Sequence, residues 1–361
     1  MAKNDAATQQ AVILGGGFVY MVEGGLLSSL GLEFTPIDVT FCGGRFVFAE
    51  DNGTFHWSDI NSATVNADSF ANAEANPDGL TSVLGVGNTL YLAGKVTTEV
   101  WAVTESSRAP FARVGGAALN IGTSSPHAFK PFNNGVVMVG EDNAVYQLNG
   151  YQYSPISSNE VSLLIERETD KSAIIGFTHR RGVNWFYTLR GSDWTREYNA
   201  ATQTWADRED KYGNQWHCQH HVKAWGRDFF GDDTTGQIFE GDYTLFTDNS
   251  DDMPWGFDTQ ILHDSPNGLS FERIDLDVEV GDGESLSDEA EIIVMWSDDN
   301  KVTWKGERRL SLGKTGEYLT RVRASRLGQC GDKGRTFRVR ITDNVKRAIA
   351  GMDAMVEKVA L

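Results

Sequence analysis

Short apolar runs led by a glycine recur along the first two thirds of the chain, each followed by a polar turn and a second run that carries an aromatic. Gly44-Arg45-Phe46-Val47-Phe48 is answered by Phe55-His56-Trp57, and Gly87-Asn88-Thr89-Leu90-Tyr91-Leu92 by Val100-Trp101. Gly135-Val136-Val137-Met138-Val139 is answered by Val145-Tyr146, Gly182-Val183-Asn184-Trp185-Phe186-Tyr187 by Trp194 and Tyr198, and Gly226-Arg227-Asp228-Phe229-Phe230 by Ile238-Phe239. Runs of this length between Gly, Asn, Asp and Ser clusters predict strands, with a helical period only around Glu160 to Glu168. The copies return every 43 to 48 residues. Self-similarity at that period predicts units that bury their apolar faces only by stacking, as propeller blades of about four strands do.

This repeat region is read as residues 1–255, a β-propeller-like body closed by the turn-rich linker Asp248-Asn249-Ser250-Asp251-Asp252-Met253-Pro254. Beyond it the alternation sharpens. Ile274, Leu276, Val278 and Val280 point one way while Asp275, Asp277 and Glu279 point the other; Phe337, Val339 and Ile341 alternate with Arg338 and Arg340. Placed side by side, these two strands would pair carboxylates with guanidiniums, each pair giving roughly 0.2–1 kcal/mol. Further strands over 290–296, 303–310, 317–324 and 348–358 make residues 256–361 an antiparallel β-sandwich-like module, with Gly281-Asp282-Gly283-Glu284 as an exposed loop. The fold class is all-β.

Charge refines this picture. The chain of 361 residues has net charge −18. Residues 1–300 hold 17 basic and 44 acidic side chains, whereas residues 301–361 hold 15 basic and 6 acidic ones. An acidic body argues against sequence reading of nucleic acid, because that affinity rests on neutralising phosphates. The basic end predicts a phosphate contact, an acidic protein surface as partner, or charges paired across strands of one sheet. Cys42, Cys218 and Cys330 are far apart and outside any CxxC spacing, which favours buried free thiols and synthesis in a reducing compartment. The sequence from Met1-Ala2-Lys3 onward reads as lacking a secretion signal, and no stretch approaches the ~20 apolar residues of a membrane helix, so a soluble protein is expected.

Candidate chemistry is sparse. Ser297-Asp298-Asp299-Asn300-Lys301-Val302-Thr303-Trp304 resembles the Asp-box hairpin S-x-D-x-G-x-T-W of sialidase-type propellers, with Lys301 at the glycine position. Ser297, Asp299, Thr303 and Trp304 are assigned a structural role, the oxygens binding backbone and the indole packing under the turn. A carbohydrate-active, sialidase-like propeller is the alternative reading, but it needs an arginine cluster and several such boxes. Trp216-His217-Cys218-Gln219-His220-His221 carries metal-binding residue types at a spacing no metal signature uses, and an interface strand is the preferred account. Gly15-Gly16-Gly17 lacks the following helix and βαβ unit of a phosphate site. Catalytic residues, cofactor and metal are all read as none, and the chain as no enzyme.

The order of several segments resembles a known family. Glu74-Ala75-Asn76-Pro77-Asp78-Gly79-Leu80, Gly85-Val86-Gly87, Glu99-Val100-Trp101 and Phe111-Ala112-Arg113 resemble the packaged-DNA stabilisation protein, or tail nozzle (head-closure) protein, of short-tailed bacteriophages. Tyr153-Ser154-Pro155-Ile156-Ser157-Ser158-Asn159-Glu160-Val161 is similar to a stretch of the same family. So are Trp296-Ser297-Asp298-Asp299, Trp304, Arg308-Arg309, the segment from Leu312 to Tyr318, Arg321-Val322-Arg323, Arg326-Leu327-Gly328 and Phe337-Arg338-Val339-Arg340-Ile341-Thr342. Members of the family carry further strands ahead of the point matching residue 1, so propeller closure is expected to differ here.

The resemblance implies a non-enzymatic virion protein of the tail, made in the bacterial host cytoplasm. It implies a homo-hexameric ring below the portal-adaptor (head-tail connector) protein, in contact with other tail proteins or fibres, that retains double-stranded DNA and passes it without sequence recognition. A ring needs two different complementary surfaces on each subunit, and an acidic lumen would let a duplex slide. Arg321, Arg323, Arg338 and Arg340 are therefore the candidate contacts to a neighbouring subunit or the adaptor, because arginine binds carboxylates bidentately.

Overall fold

The computed structural model describes residues 1–73, 76–232, 234–248, 251–282 and 289–359. Glu74 and Ala75 of the family-like segment, Asn249 and Ser250 of the expected linker, and Gly283 and Glu284 of the expected loop lie outside the described residues. Contacts divide the chain into two compact units, one of Met1–Glu209 with Asn214–Glu240, the other of Asp210–Gly213 with Gly241–Leu361.

Among the described residues, the first unit is a succession of six antiparallel sheets in chain order. Five have four strands and the sixth, over Cys218–Gly241, has three. The all-β, propeller expectation is thus met, and a sheet over residues 2–29 adds a first blade that the five sequence copies did not include. The turn that opens each copy explains its glycine in four of the five cases, the fourth sheet using Asn133-Asn134 instead. In sheets 2 to 6 the first and second strands are joined by two-residue turns at 43–44, 87–88, 133–134, 182–183 and 225–226. The first turn residue has positive φ every time: Gly43 58°, Gly87 58°, Asn133 44°, Gly182 60° and Trp225 50°. Primed turns match the right-handed twist of the flanking strands and demand this backbone region, which glycine and asparagine enter most cheaply.

Apolar clusters fill five seams between successive sheets. The second strands explain why. Arg45–Ala49 and Gly135–Val139 are buried throughout. Phe46 and Phe48 pack towards sheet 1 while Val47 and Ala49 pack towards sheet 3; Val136 and Met138 pack towards sheet 3 while Val137 and Val139 pack towards sheet 5. A strand buried on both faces reads as a continuous apolar run, which is how these appear in the sequence. Polar bonds join the same neighbours. Asp38 Oδ2 accepts from Ser82 Oγ at 2.5 Å and from the Val83 amide at 2.9 Å. The helix Asn159–Arg167 starts where Ser158 accepts from the Val161 amide, and it packs Val161 and Ile165 into the seam of sheets 4 and 5.

The second unit is a β-sandwich. One sheet is ordered Trp255–Asp258, Thr336–Ile341, Glu291–Ser297, Lys305–Ser311, and the other Val322–Cys330, Gly268–Val278, Ile349–Val359. Ile274, Leu276, Val294, Phe337 and Val339 are among the buried residues of its core. The expected side-by-side placement of the Asp275 strand and the Arg338 strand is corrected: they lie in different sheets. Alternation fixed which face of each strand is buried but carried no information on its partner, since both strands present apolar residues to the same core. Asp248, Asp251 and Asp252 of the expected linker form a short hairpin of this unit.

Candidate functional site

The Ser297–Trp304 segment is a tight hydrogen-bonded turn. Ser297 Oγ donates to Asp299 Oδ1 at 2.7 Å and accepts from the Lys301 amide at 2.9 Å. Asp299 accepts from the Thr303 amide at 2.9 Å and from the Thr303 hydroxyl. These bonds, the Thr303 hydroxyl foremost, hold the Asp299 carboxyl down at about 2. Asn300 and Lys301 have φ of 60° and 68°, so Lys301 occupies a left-handed position that suits the glycine of the Asp-box pattern. Trp304 is half-buried, and the Arg338 guanidinium lies over its ring at 3.7 Å. The indole is thus covered by a cation rather than sealed in the core.

Two of the four candidate arginines are neutralised inside the sandwich, each by a partner set by strand pairing. Arg338 meets Asp258 through two bonds of 2.7 and 2.9 Å, the Asp258 strand being its neighbour in the sheet. That contact holds the Asp258 carboxyl below its ordinary value. Arg323 meets Asp275 at 2.5 Å, on strands that also pair directly. Glu279 is bound by Lys346 at 2.7 Å. The expected pairing of Arg338 and Arg340 with Asp275, Asp277 and Glu279 is therefore replaced by these pairs. Arg340 and Arg321 are exposed, Arg321 one residue ahead of its strand. Across 254–361 the chain has 16 basic and 19 acidic side chains. The basic end of the sequence folds together with the acidic stretch before it, and the charge contrast disappears within one unit.

The arginine that organises this unit was not among the candidates. Arg335 is 2% exposed. It grips Asp298 at 2.6 and 3.0 Å and donates to the carbonyls of Leu327 at 2.7 Å and Gln329 at 2.9 Å. Its guanidinium lies 5.0 Å from the Phe271 ring and 5.2 Å from the Trp296 ring. A buried guanidinium is tolerated because its donors meet a carboxylate and two carbonyls. Only its place next to Thr336-Phe337, on a strand already alternating inward and outward, could have marked it.

In the propeller, the His217-Cys218-His220-His221 segment falls at the seam of sheets 5 and 6. His221 Nδ1 meets the Thr178 carbonyl at 3.0 Å and Nε2 meets Asp228 at 2.9 Å. His179 lies across from it, ring centres 5.7 Å apart, beside Glu197, and burial pushes it down to about 4. No group of three or more His, Cys, Asp or Glu side chains suited to a metal occurs among the described residues. Cys42, Cys218 and Cys330 are buried free thiols, and burial raises Cys42 to about 11. An open cavity of about 480 Å³ beside the helix is lined by Ser158, Glu160, Arg196, Trp205 and Asp207. Arg196 binds both Glu160 and Asp207. No helix among the described residues is long and apolar enough to cross a membrane.

Two family models match the chain in succession. The model described as Bacteriophage P22 Gp10, beta-propeller, covers residues 1–244, and that described as Bacteriophage P22 Gp10, beta-sandwich, covers residues 254–357. The chain belongs to the bacteriophage P22 Gp10 family. The P22 Gp10 match assigns a propeller followed by a sandwich, as folded here, and with it a phage structural protein of the tail and head-closure type. Solved structures resemble the chain only distantly. BamB from Moraxella catarrhalis has 10% identity and a TM-score of 0.40, covering 93% of this chain and 92% of its own. The computationally designed Ika8 protein has 13% identity and a TM-score of 0.40, covering 66% and 69%. PorZ from Porphyromonas gingivalis has 14% identity and a TM-score of 0.37, covering 66% and 32%. A search of curated proteins finds no match.

Proposed function

We propose that this member of the P22 Gp10 family is a non-enzymatic ring subunit of the phage tail that docks below the portal-adaptor protein, retains packaged DNA and forms part of its exit channel. The observation that carries this reading is that both halves of the chain match the two Gp10 models in order. Six copies, the number the family resemblance implies, would form the ring. The acidic propeller, with 16 basic and 31 acidic side chains over residues 1–253, suits a conduit that does not grip phosphate. Arg321 and Arg340, exposed and outside the ion pairs of the sandwich, are the remaining arginines for a contact to a neighbouring subunit or the adaptor; Arg323 and Arg338 serve the fold of the sandwich instead. The Asp-box-like turn is structural.

Imaging of the purified protein mixed with portal and adaptor tests the reading. A closed ring on the adaptor with a duplex-wide bore is expected. A chain that stays single and does not bind the adaptor would overturn it. The carbohydrate-active alternative predicts turnover of glycosides that depends on one carboxylate.

A further inference from the structure

We propose that the adjacent hairpin tips of sheets 5 and 6, carrying Val183 and Trp225, are the surface by which one copy of this chain seizes the acidic surface of the next. The inference rests on the ring reading and names a contact within it. Its first observation is a broken rule. Of the five equivalent turns described above, four place Gly or Asn at the first turn residue, whereas sheet 6 places Trp225 there at φ 50°. That residue is also 92% exposed. A large aromatic held in a left-handed backbone and turned into water is unfavourable twice over for the isolated fold. Such departures mark positions selected for something other than stability.

The surroundings indicate what it meets. Val183, at the corresponding turn of sheet 5, is 81% exposed, and Val222 on sheet 6 is 56% exposed. Phe229 lies edge-on to Trp225 with ring centres 6.2 Å apart. Arg180, Arg181, Lys223 and Arg227 flank the two turns and are exposed; Lys223 lies 3.9 Å from Asp228 and Arg227 3.1 Å from Glu240, which leaves the tips with more cations than carboxylates. No Asp or Glu occurs from Lys171 to Ser192, nor from Cys218 to Arg227. Four of the 16 basic residues of the first 253 positions are thus gathered at two neighbouring tips of a strongly acidic region. An aromatic anchor with a cationic rim is the anatomy of a protein-binding hot spot. Every other copy of the same chain carries 31 acidic against 16 basic side chains over residues 1–253, so acidic groups for such a contact are in excess on each neighbour. A contact of one patch with a different patch of the next copy is heterologous and propagates into a ring.

The test uses the full chain, its mass distribution being followed by light scattering from 1 to about 100 µM and from low to high salt. Wild type is expected to associate, more weakly as salt rises. Trp225→Gly restores the turn residue of the other sheets, so its melting temperature should hold or rise while association weakens at least tenfold. Lys223→Glu with Arg227→Glu should weaken association and flatten its salt dependence. Leu163→Ser, on the exposed face of the helix, should leave association unchanged. Wild-type association that Trp225→Gly leaves intact overturns this inference and spares the ring. A wild type that stays monomeric throughout overturns this inference, and the ring reading falls with it only if the same protein also fails to assemble on portal and adaptor. Duplex DNA or anionic vesicles added to the same proteins give the remaining outcomes: binding of either that Trp225→Gly abolishes, with self-association unchanged, assigns the tips to that partner and overturns the proposal.

Discussion

Sheets 2 and 6 of the propeller solve the same problem with opposite means. Sheet 2 is held on both sides by apolar seams, with Phe46, Phe48, Val47 and Ala49 fully inside. Sheet 6 has one strand fewer, one small apolar cluster around Phe177, Trp216, Cys218 and Phe230, and a buried polar set completing its attachment. The contrast shows that a repeat architecture need not be uniformly cohesive: nearest-neighbour seams set the stability of each unit, and a seam of imidazoles and carboxylates answers to conditions that a seam of phenylalanines ignores.

The largest expected break of this comparison is Phe48→Ala, which should cost about 3–5 kcal/mol and lower cooperative unfolding of the whole first unit in denaturant titration. Phe230→Ala should instead raise hydrogen exchange in residues 218–241 well before the rest.

Acid should separate the two seams next. Burial holds His179 at about 4 against the ordinary 6.5, so the unfolded chain binds the extra proton between those values. The contribution of the seam is whole above pH 6.5 and is lost as pH falls towards 4, by up to about 3 kcal/mol. The charged and titratable groups around His179 are Glu197, Arg208, His221, Asp228 and, further out, Lys223. Exchange measured at pH 7.5 and 4.5 should rise first in sheet 6; equal protection at both values would show that the histidine is not what holds it. Asp228→Ala strips His221 Nε2 of its acceptor, and should cost about 1–3 kcal/mol at neutral pH, read as an earlier melting step confined to the same sheet.

Smaller effects belong to turns. Lys301→Gly relieves a left-handed lysine and should gain about 1 kcal/mol. Trp304→Ala removes a half-buried ring and its contact with Arg338, and should cost roughly 1–2 kcal/mol, less than a core tryptophan.

The blades were legible because their turns favour glycine or asparagine and their second strands need apolar residues on both faces, two signals that survive in a single sequence. The first sheet escaped because its Gly15-Gly16-Gly17 turn joins its second and third strands rather than its first and second. In the sandwich, alternation told inside from outside but not which strand lay alongside. Arg338 therefore met Asp258, and not Asp275, for reasons of topology that no local pattern records. The basic character of residues 301–361 was real in the chain and vanished on folding, because its partners were supplied by the stretch just before it. Arg335 stayed hidden for a similar reason: one arginine among many announces nothing until Asp298 and two carbonyls close around it.

A strand that belongs to two cores at once cannot use polarity to choose its register. Across residues 46–49, a shift of one residue would leave apolar side chains on both faces, and only their sizes would be exchanged. Two benzyl groups would arrive where a valine and an alanine fit, and a gap would open where the phenylalanines stood. The spelling of such a strand is volumetric. Tolerance to substitution at its centre should follow side-chain volume, position by position and with alternating preference, in a way that hydropathy alone would not reveal.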